Sequence, residues 1–161
     1  MKESSRRHPA VTARMMAAVR NKNSRAELAL RRALHARGVR YRLHAKDVVG
    51  KPDIVVRKYR LAVFVDGDLW HGNAWRVRGL SRLEDLFPSR TDWWVAKIRR
   101  NVARDGEVSE RLATDGWTVV RLWESDVLAD PIAASARVID ALRDCGAPRP
   151  PTATLSLTPP T

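Results

Sequence analysis

Leu61-Ala62-Val63-Phe64-Val65-Asp66-Gly67-Asp68-Leu69-Trp70-His71 joins five apolar residues to an acidic turn, a tryptophan and a histidine. An apolar run this short, containing β-branched residues, reads as a central strand buried on both faces. Gly67 lets the chain turn sharply where the strand ends, so Asp66, Asp68 and His71 emerge at one end of a sheet. Upstream, the Gly50-Lys51-Pro52 turn leads into Asp53-Ile54-Val55-Val56, a second strand separated from the first by a short charged turn. Neighbouring strands bring Asp53 and Asp66 close together. A hard cation held by carboxylate and carbonyl oxygens, with a base within reach of a bound water, is what metal-assisted hydrolysis requires. Each signal alone is weak, because Pro-Asp is commonly a turn, Asp-Gly-Asp a loop and a lone histidine a surface residue. Their convergence after two adjacent strands is what carries weight.

Further outward the pattern is α/β. Apolar Met15, Met16 and Val19 suggest a short helix over 11–20. Ser24 suits a helix N-cap and has Glu27 three residues on, the capping-box spacing. The helix that follows sets Leu28, Leu30, Ala33 and Leu34 on an apolar face and stops at Gly38. Val39-Arg40-Tyr41-Arg42-Leu43 alternates as a half-buried strand does. Residues 72–90, with their glycines, arginines and Pro88, read as an irregular surface loop. A long helix is predicted over 92–114, capped by Ser89 or Thr91. Its stripe comprises Trp94, Ile98 and Val102, with Leu112 further along, and Asp115-Gly116 closes it. A strand over 117–123 and a helix over 131–143 complete the order helix, three strands, helix, strand, helix. That order implies an α/β domain with a mixed sheet flanked by helices. The expected organisation is a flexible basic arm (1–10), one domain (11–145) and a disordered Pro/Thr-rich tail (146–161).

The chain has 161 residues, with 30 Lys and Arg against 18 Asp and Glu, a formal charge of +12. A surplus that large on one domain favours a polyanion such as nucleic acid, since each neutralised phosphate releases counterions. A basic but otherwise ordinary surface, or attachment to a membrane surface, is the competing reading. No segment approaches the run of about 20 apolar residues that spans a bilayer, and the charged N-terminus lacks a signal-peptide core. Cys145 is the single cysteine, which excludes an internal disulfide framework or a multi-cysteine zinc site. A cytoplasmic protein is expected. Of the six tryptophans, Trp117 and Trp123 fall on a predicted strand and read as core. Trp70 and Trp75 lie in a turn-rich segment with Arg76 and Arg78, a combination suited to stacking on bases or wedging between base steps. The plainer alternative is that Trp70 pins its loop to the body.

Several motifs in register extend this picture. Met16-Ala17-Ala18-Val19-Arg20, Arg25-Ala26-Glu27-Leu28, Lys51-Pro52-Asp53-Ile54-Val55-Val56, Phe64 through His71, Thr91-Asp92-Trp93-Trp94, Lys97-Ile98 with Asn101, Asp105, and Gly116-Trp117 through Leu122-Trp123-Glu124 follow in order. From about Thr12 to Leu128 the chain resembles the very short patch repair (Vsr) endonucleases, of PD-(D/E)xK-like type. The resemblance implies a restriction-endonuclease-like fold and nicking of duplex DNA 5′ to the thymine of T·G mismatches, which arise by deamination of 5-methylcytosine, with Mg2+. It implies that Asp53 is the principal metal carboxylate, that the Val65 main-chain carbonyl is a further ligand, and that His71 is the general base or acid. Glu27 would be a supporting catalytic carboxylate. Leu69, Trp70 and Trp94 would form a wedge from the major groove, with Met16 pressing from the minor groove and Lys97, Arg76 and Arg78 adding DNA contacts.

The chain departs from that pattern in places. Val65 stands where threonine is common. Asp66 replaces a second histidine and is a candidate catalytic residue and metal ligand. Leu69 replaces an aromatic wedge residue. Asp68, Asn73 and Ser125 stand where the best-known members bind structural zinc, so a zinc-free variant is expected, with loop 72–90 held by other packing. The expected partners are mismatched double-stranded DNA and mismatch-repair proteins, at the nucleoid. A monomer is expected, because nicking one strand needs one active site. Two other readings stay open: a Vsr-like endonuclease acting in restriction or on another mismatch or modified base, and a decayed, non-cleaving DNA-binding module. A basic structural protein would need the wedge residues buried.

Overall fold

A computed structural model of the protein describes residues 22–148. The expected basic arm, the helix over 11–20 with Met16, and the tail from 149 onward lie outside the described residues. The chain order is helix α1 (Arg25–Ala36), strands β1 (Arg42–Leu43), β2 (Ile54–Val56) and β3 (Leu61–Asp66), short helix α2 (Ala74–Val77), long helix α3 (Thr91–Thr114), strand β4 (Thr118–Trp123), and helices α4 (Glu124–Ala129) and α5 (Pro131–Asp144). The sheet order is β1-β2-β3-β4, antiparallel except for the parallel β3–β4 pair. This is the expected mixed sheet flanked by helices.

Strand alternation divides the core into two layers. Ile54, Val56, Leu61, Val63 and Leu122 pack with Leu30 and Leu34 of α1, Val127 of α4 and Val138, Ile139 and Leu142 of α5. Val55, Ala62 and Phe64 face the opposite way and pack with Leu112 of α3, Ala45 and Val48. A strand that is apolar on both faces is what such a two-sided cover demands. β3, whose residues 61–64 are all buried, is that strand. Its C-terminal end opens between α1 on one side and α3 on the other.

Helix ends follow local chemistry. Ser24 Oγ accepts the Glu27 N–H at 3.1 Å, as predicted, but the Glu27 carboxylate accepts Asn23 N–H and leaves the capping box one-sided. Asp130 caps α5 by accepting the Ile132 and Ala133 N–H groups, with Pro131 in the first turn.

Several expectations are corrected. The strand over 39–43 shrinks to β1, because Val39 N–H bonds back to Leu34 O and the Tyr41 hydroxyl donates to Arg31 O, tying both residues to α1. In loop 72–90, α2 and a 3-10 turn (Leu83–Leu86) are ordered elements. The buried stripe of α3 is Val95, Ile98 and Leu112; Val102 is 46% exposed. The six-residue helix α4 is too short to show a period in the sequence. Among the described residues no helix is long and apolar enough to cross a membrane.

Candidate active site

The open end of β3 borders a cleft of about 960 Å³, lined by residues of α1, β3, the loop after it, α3 and β4. Glu27, Asp53, Val65, Asp66, Leu69, Trp70 and His71 all line it, so most residues singled out from the sequence converge.

At one end of the cleft, antiparallel pairing of β2 with β3 sets Asp53 beside the end of β3. There the Val65 N–H donates to Asp53 Oδ2 at 2.8 Å. Glu27 projects from the first turn of α1 and is almost wholly buried. Arg31, one helical turn on, donates from one nitrogen to Glu27 Oε2 at 2.6 Å and to His44 Nε2 at 3.0 Å. A guanidinium cannot accept, so His44 Nε2 is unprotonated here. Burial lowers the His44 pKa, with Glu27 opposing and Arg31 adding to the drop. Glu27, His44 and Asp53 can bring one ligand atom each within 4.8 Å of one another. Burial, helped by the nearby charges of Glu27 and Asp66 and opposed by the Val65 N–H and Arg31, pushes the Asp53 carboxyl up to about 6. Surplus negative charge in a half-buried pocket is what a divalent cation relieves, so these oxygens fit one.

At the other end, Gly67 starts the loop that returns His71 toward the sheet, closed by His71 N–H donating to Gly67 O. His71 Nδ1 donates to Asp105 Oδ2 of α3 at 2.5 Å. An ionised carboxylate only accepts, which fixes the tautomer and leaves Nε2 able to take a proton. Asp66, expected as a catalytic or metal carboxylate, receives Arg121 Nη1 on both oxygens, at 2.8 and 2.9 Å. It lies 3.8 Å from His71 Nδ1.

The loop carrying His71 is fastened by Asp68, Asn73 and Ser125. Asp68 Oδ1 accepts Asn73 Nδ2 at 2.7 Å and the Ser125 hydroxyl at 2.8 Å, while Oδ2 accepts Ser125 N–H at 3.0 Å. The Asp68 carbonyl also accepts Asn73 and Ala74 N–H. These bonds clasp the loop to the start of α4.

Trp70 and Trp94, expected to form part of a wedge, also meet. Trp70 and Trp94 ring centroids are 6.0 Å apart, Phe87 stacks on Trp94 at 5.2 Å, and Trp93 packs edge-on to Trp94. The Lys97 ammonium lies 5.0–5.6 Å from the Trp70, Trp93 and Trp94 centroids. Asn101 Nδ2 donates to Trp70 O at 3.0 Å, so Trp70 is pinned to α3 while remaining partly open. Trp75 carries Arg76 over its ring at 4.3 Å; Arg76 and Arg78 are exposed on and beside α2 and do not line the cleft. Met16 lies outside the described residues.

Arg31, His44 and Arg121 escaped the sequence reading, and Asp105 was noted only as part of a motif, with no role. Asp105 and Arg121 are 34 and 55 residues from their partners His71 and Asp66, and no local pattern marks either. The one signal for His44 is that it is the histidine nearest in sequence to the Lys51-Pro52-Asp53 turn. Its positive φ of 47° and the His44 N–H bond to Asp53 O place it there.

Comparison with known proteins agrees with this geometry. The family described as DNA mismatch endonuclease Vsr matches residues 6–77. The chain is 41% identical to the type II nicking enzyme V.NmeDIP of Neisseria meningitidis serogroup C, over 78% of this chain and 81% of that protein. It is 43% identical to the type II nicking enzyme V.XorIIP of Xanthomonas oryzae pv. oryzae, over 80% of this chain and 89% of that one. It is 31% identical to the DNA mismatch endonuclease Vsr of Escherichia coli, over 71% of this chain and 70% of that one. A cleft lined by carboxylates and a carboxylate-held histidine, together with these similarities, identifies the chain as an endodeoxyribonuclease of the Vsr family.

Proposed function

We propose that the protein nicks one strand of duplex DNA at T·G mismatches, with magnesium as its cation. The observation that carries the chemistry is that the Asp53–Glu27 carboxylates and the His71–Asp105 pair share one cleft at the end of β3. Asp53, the Val65 carbonyl and Glu27 would hold the cation, which when bound polarises the scissile phosphate and acidifies a water. His71 Nε2 takes the proton from that water or returns one to the leaving oxygen, and Asp105 holds the ring and stabilises the imidazolium. Arg31 holds Glu27 in place and offsets its charge.

Leu69, Trp70 and Trp94 enter the duplex beside the mismatch, with Met16 opposing them from the N-terminal segment. Lys97 lies among the tryptophans where a base edge or phosphate would approach, and Arg76 and Arg78 hold the backbone. The Asp68–Asn73–Ser125 clasp takes the place of structural zinc. The catalytic domain spans 11–145, with a basic arm before it and a tail after it. It acts in the cytoplasm at the nucleoid, as a monomer, and hands nicked DNA to repair proteins.

A second reading, another target for the same chemistry, is favoured by Leu69 in the wedge and by the several relatives named nicking enzymes. Nicking assays on otherwise identical duplexes carrying T·G, other mismatches, 5-methylcytosine or no lesion decide between them. Selective nicking 5′ to the mismatched thymine is expected. Cleavage of matched DNA with T·G ignored would overturn the mismatch assignment.

A further inference from the structure

Arg121 lies beside the proposed reaction centre without any role in the chemistry above. It sits on β4 opposite Phe64 of β3, so its side chain shares the α3-facing side of the sheet with Phe64 and Asp66. The guanidinium lies over the Phe64 ring, 4.3 Å from its centroid. Every nitrogen is engaged: Nη1 donates to both Asp66 oxygens, Nε to Ser109 Oγ at 3.0 Å, and Nη2 to the Asp105 carbonyl at 3.3 Å. The Asp105 carboxylate is 3.7 Å away. One side chain therefore ties the end of β3 to the turn of α3 that presents Asp105 to His71.

Asp66 is more buried than Asp105 or His71 and neighbours Asp53. Without Arg121 it would be a buried, unpaired carboxylate, which is costly and would be relieved by turning toward any cation held at Asp53. Nε, Nη1 and one Nη2 N–H of Arg121 are engaged inside the protein, which leaves at most one Nη2 N–H for a DNA phosphate.

We propose that Arg121 and Asp66 are a positioning pair: Arg121 holds Asp66 away from the cation and fixes the helix turn that seats Asp105 behind His71. Asp66 is thereby the counter-ion of Arg121 and not a metal ligand. This rests on the nuclease reading. Magnesium-dependent nicking by the unaltered protein and its loss in Asp53→Ala are checked first; if Asp53→Ala still nicks, that reading fails whatever Arg121 does.

The experiment is a cycle of Arg121→Met, Asp66→Asn and the double variant, on the full chain, with nicking measured against DNA and against magnesium concentration. Arg121→Met should lower kcat about 100-fold, the scale of small misplacements in an active site, with KM for DNA and its salt dependence unchanged. Asp66→Asn should leave the magnesium concentration for half-maximal rate unchanged. The double variant should recover part of the kcat lost in Arg121→Met, because no buried carboxylate is left unpaired. Arg121→Lys, which keeps the charge but cannot span all three partners, should give an intermediate kcat. If Arg121→Met does not fold by circular dichroism, Arg121→Lys and Asp66→Asn carry the test alone. A raised KM with a shallower salt dependence in Arg121→Met or Arg121→Lys would make Arg121 a phosphate contact and overturn the proposal. A roughly tenfold or larger rise in the magnesium requirement of Asp66→Asn, about 1.4 kcal/mol of lost affinity, would make Asp66 a ligand and overturn it as well.

Discussion

The two ends of the cleft carry the same set of groups, two acids, an arginine and a histidine, but pair them differently. At the α1 end, Asp53 and Glu27 share Arg31, and among the described residues the Asp53 carboxylate accepts only the Val65 N–H. At the α3 end, Asp66 and Asp105 are matched by Arg121 and by the His71 N–H. A buried carboxylate without a cationic partner attracts a metal ion, whereas one bonded to an imidazole N–H orients the ring. The division of labour between holding a metal and moving a proton is thus set by which arginine and histidine each pair of acids meets.

The harshest way to break this comparison is at the α3 end. His71→Ala is expected to cut the single-turnover nicking rate about 1,000-fold, within the range for loss of a general acid or base. Asp105→Asn should cost less, with DNA affinity unchanged in both. Activity of His71→Ala close to that of the unaltered protein would remove the proton-handling role from this end.

The α1 end is tested by stability. The folded pKa of Asp53, about 6, lies above its ordinary 3.8, so the folded state holds that proton more tightly than the unfolded chain does. Asp53 ionisation therefore costs no stability below about pH 4, an increasing amount between 4 and 6, and about 3 kcal/mol above that. Asp53→Asn should stabilise the cation-free protein by up to about 3 kcal/mol at pH 8 and by nothing at pH 4, read from urea unfolding. A gain that is equal at both pH values would show that the acid is not held at a charge surplus.

Much of this was legible in the sequence, and what was not has a physical reason. β3 announced itself by five apolar residues before Asp66, and α1 by Ser24 and its stripe, because burial and capping are local signals. The convergence of Asp53, Asp66 and His71 followed from strand adjacency alone. What stayed hidden was pairing across the sheet: nothing near Asp66 foretells Arg121, 55 residues away. Asp66 reads as a candidate ligand without sight of the arginine that meets it, and the zinc-free loop is expected to be held by other packing without sight of the bonds that join Asp68 to Asn73 and Ser125.

That clasp sharpens the comparison, since it supports the His71 end alone. Asp68→Ala leaves two side chains and a backbone N–H without an acceptor and should cost about 2 kcal/mol of stability. The nicking rate should fall with it, while the cation requirement set at the α1 end stays put. An altered cation requirement would join the two ends.

The smallest expected effect lies beyond both ends, at the wedge. Trp70→Ala should weaken binding to the mismatched duplex about tenfold, the lower part of the range for a lost base stack, and should affect matched DNA less. Equal losses on both duplexes, by fluorescence anisotropy, would reduce Trp70 to a pin for its loop.

In the proposed chemistry Asp53 is the residue through which the cation serves cleavage. Nicking and binding of a T·G duplex by Asp53→Ala, with and without magnesium, test it most directly. Magnesium-dependent nicking should disappear while the duplex is still bound; nicking that persists would show that the cation serves cleavage through another residue.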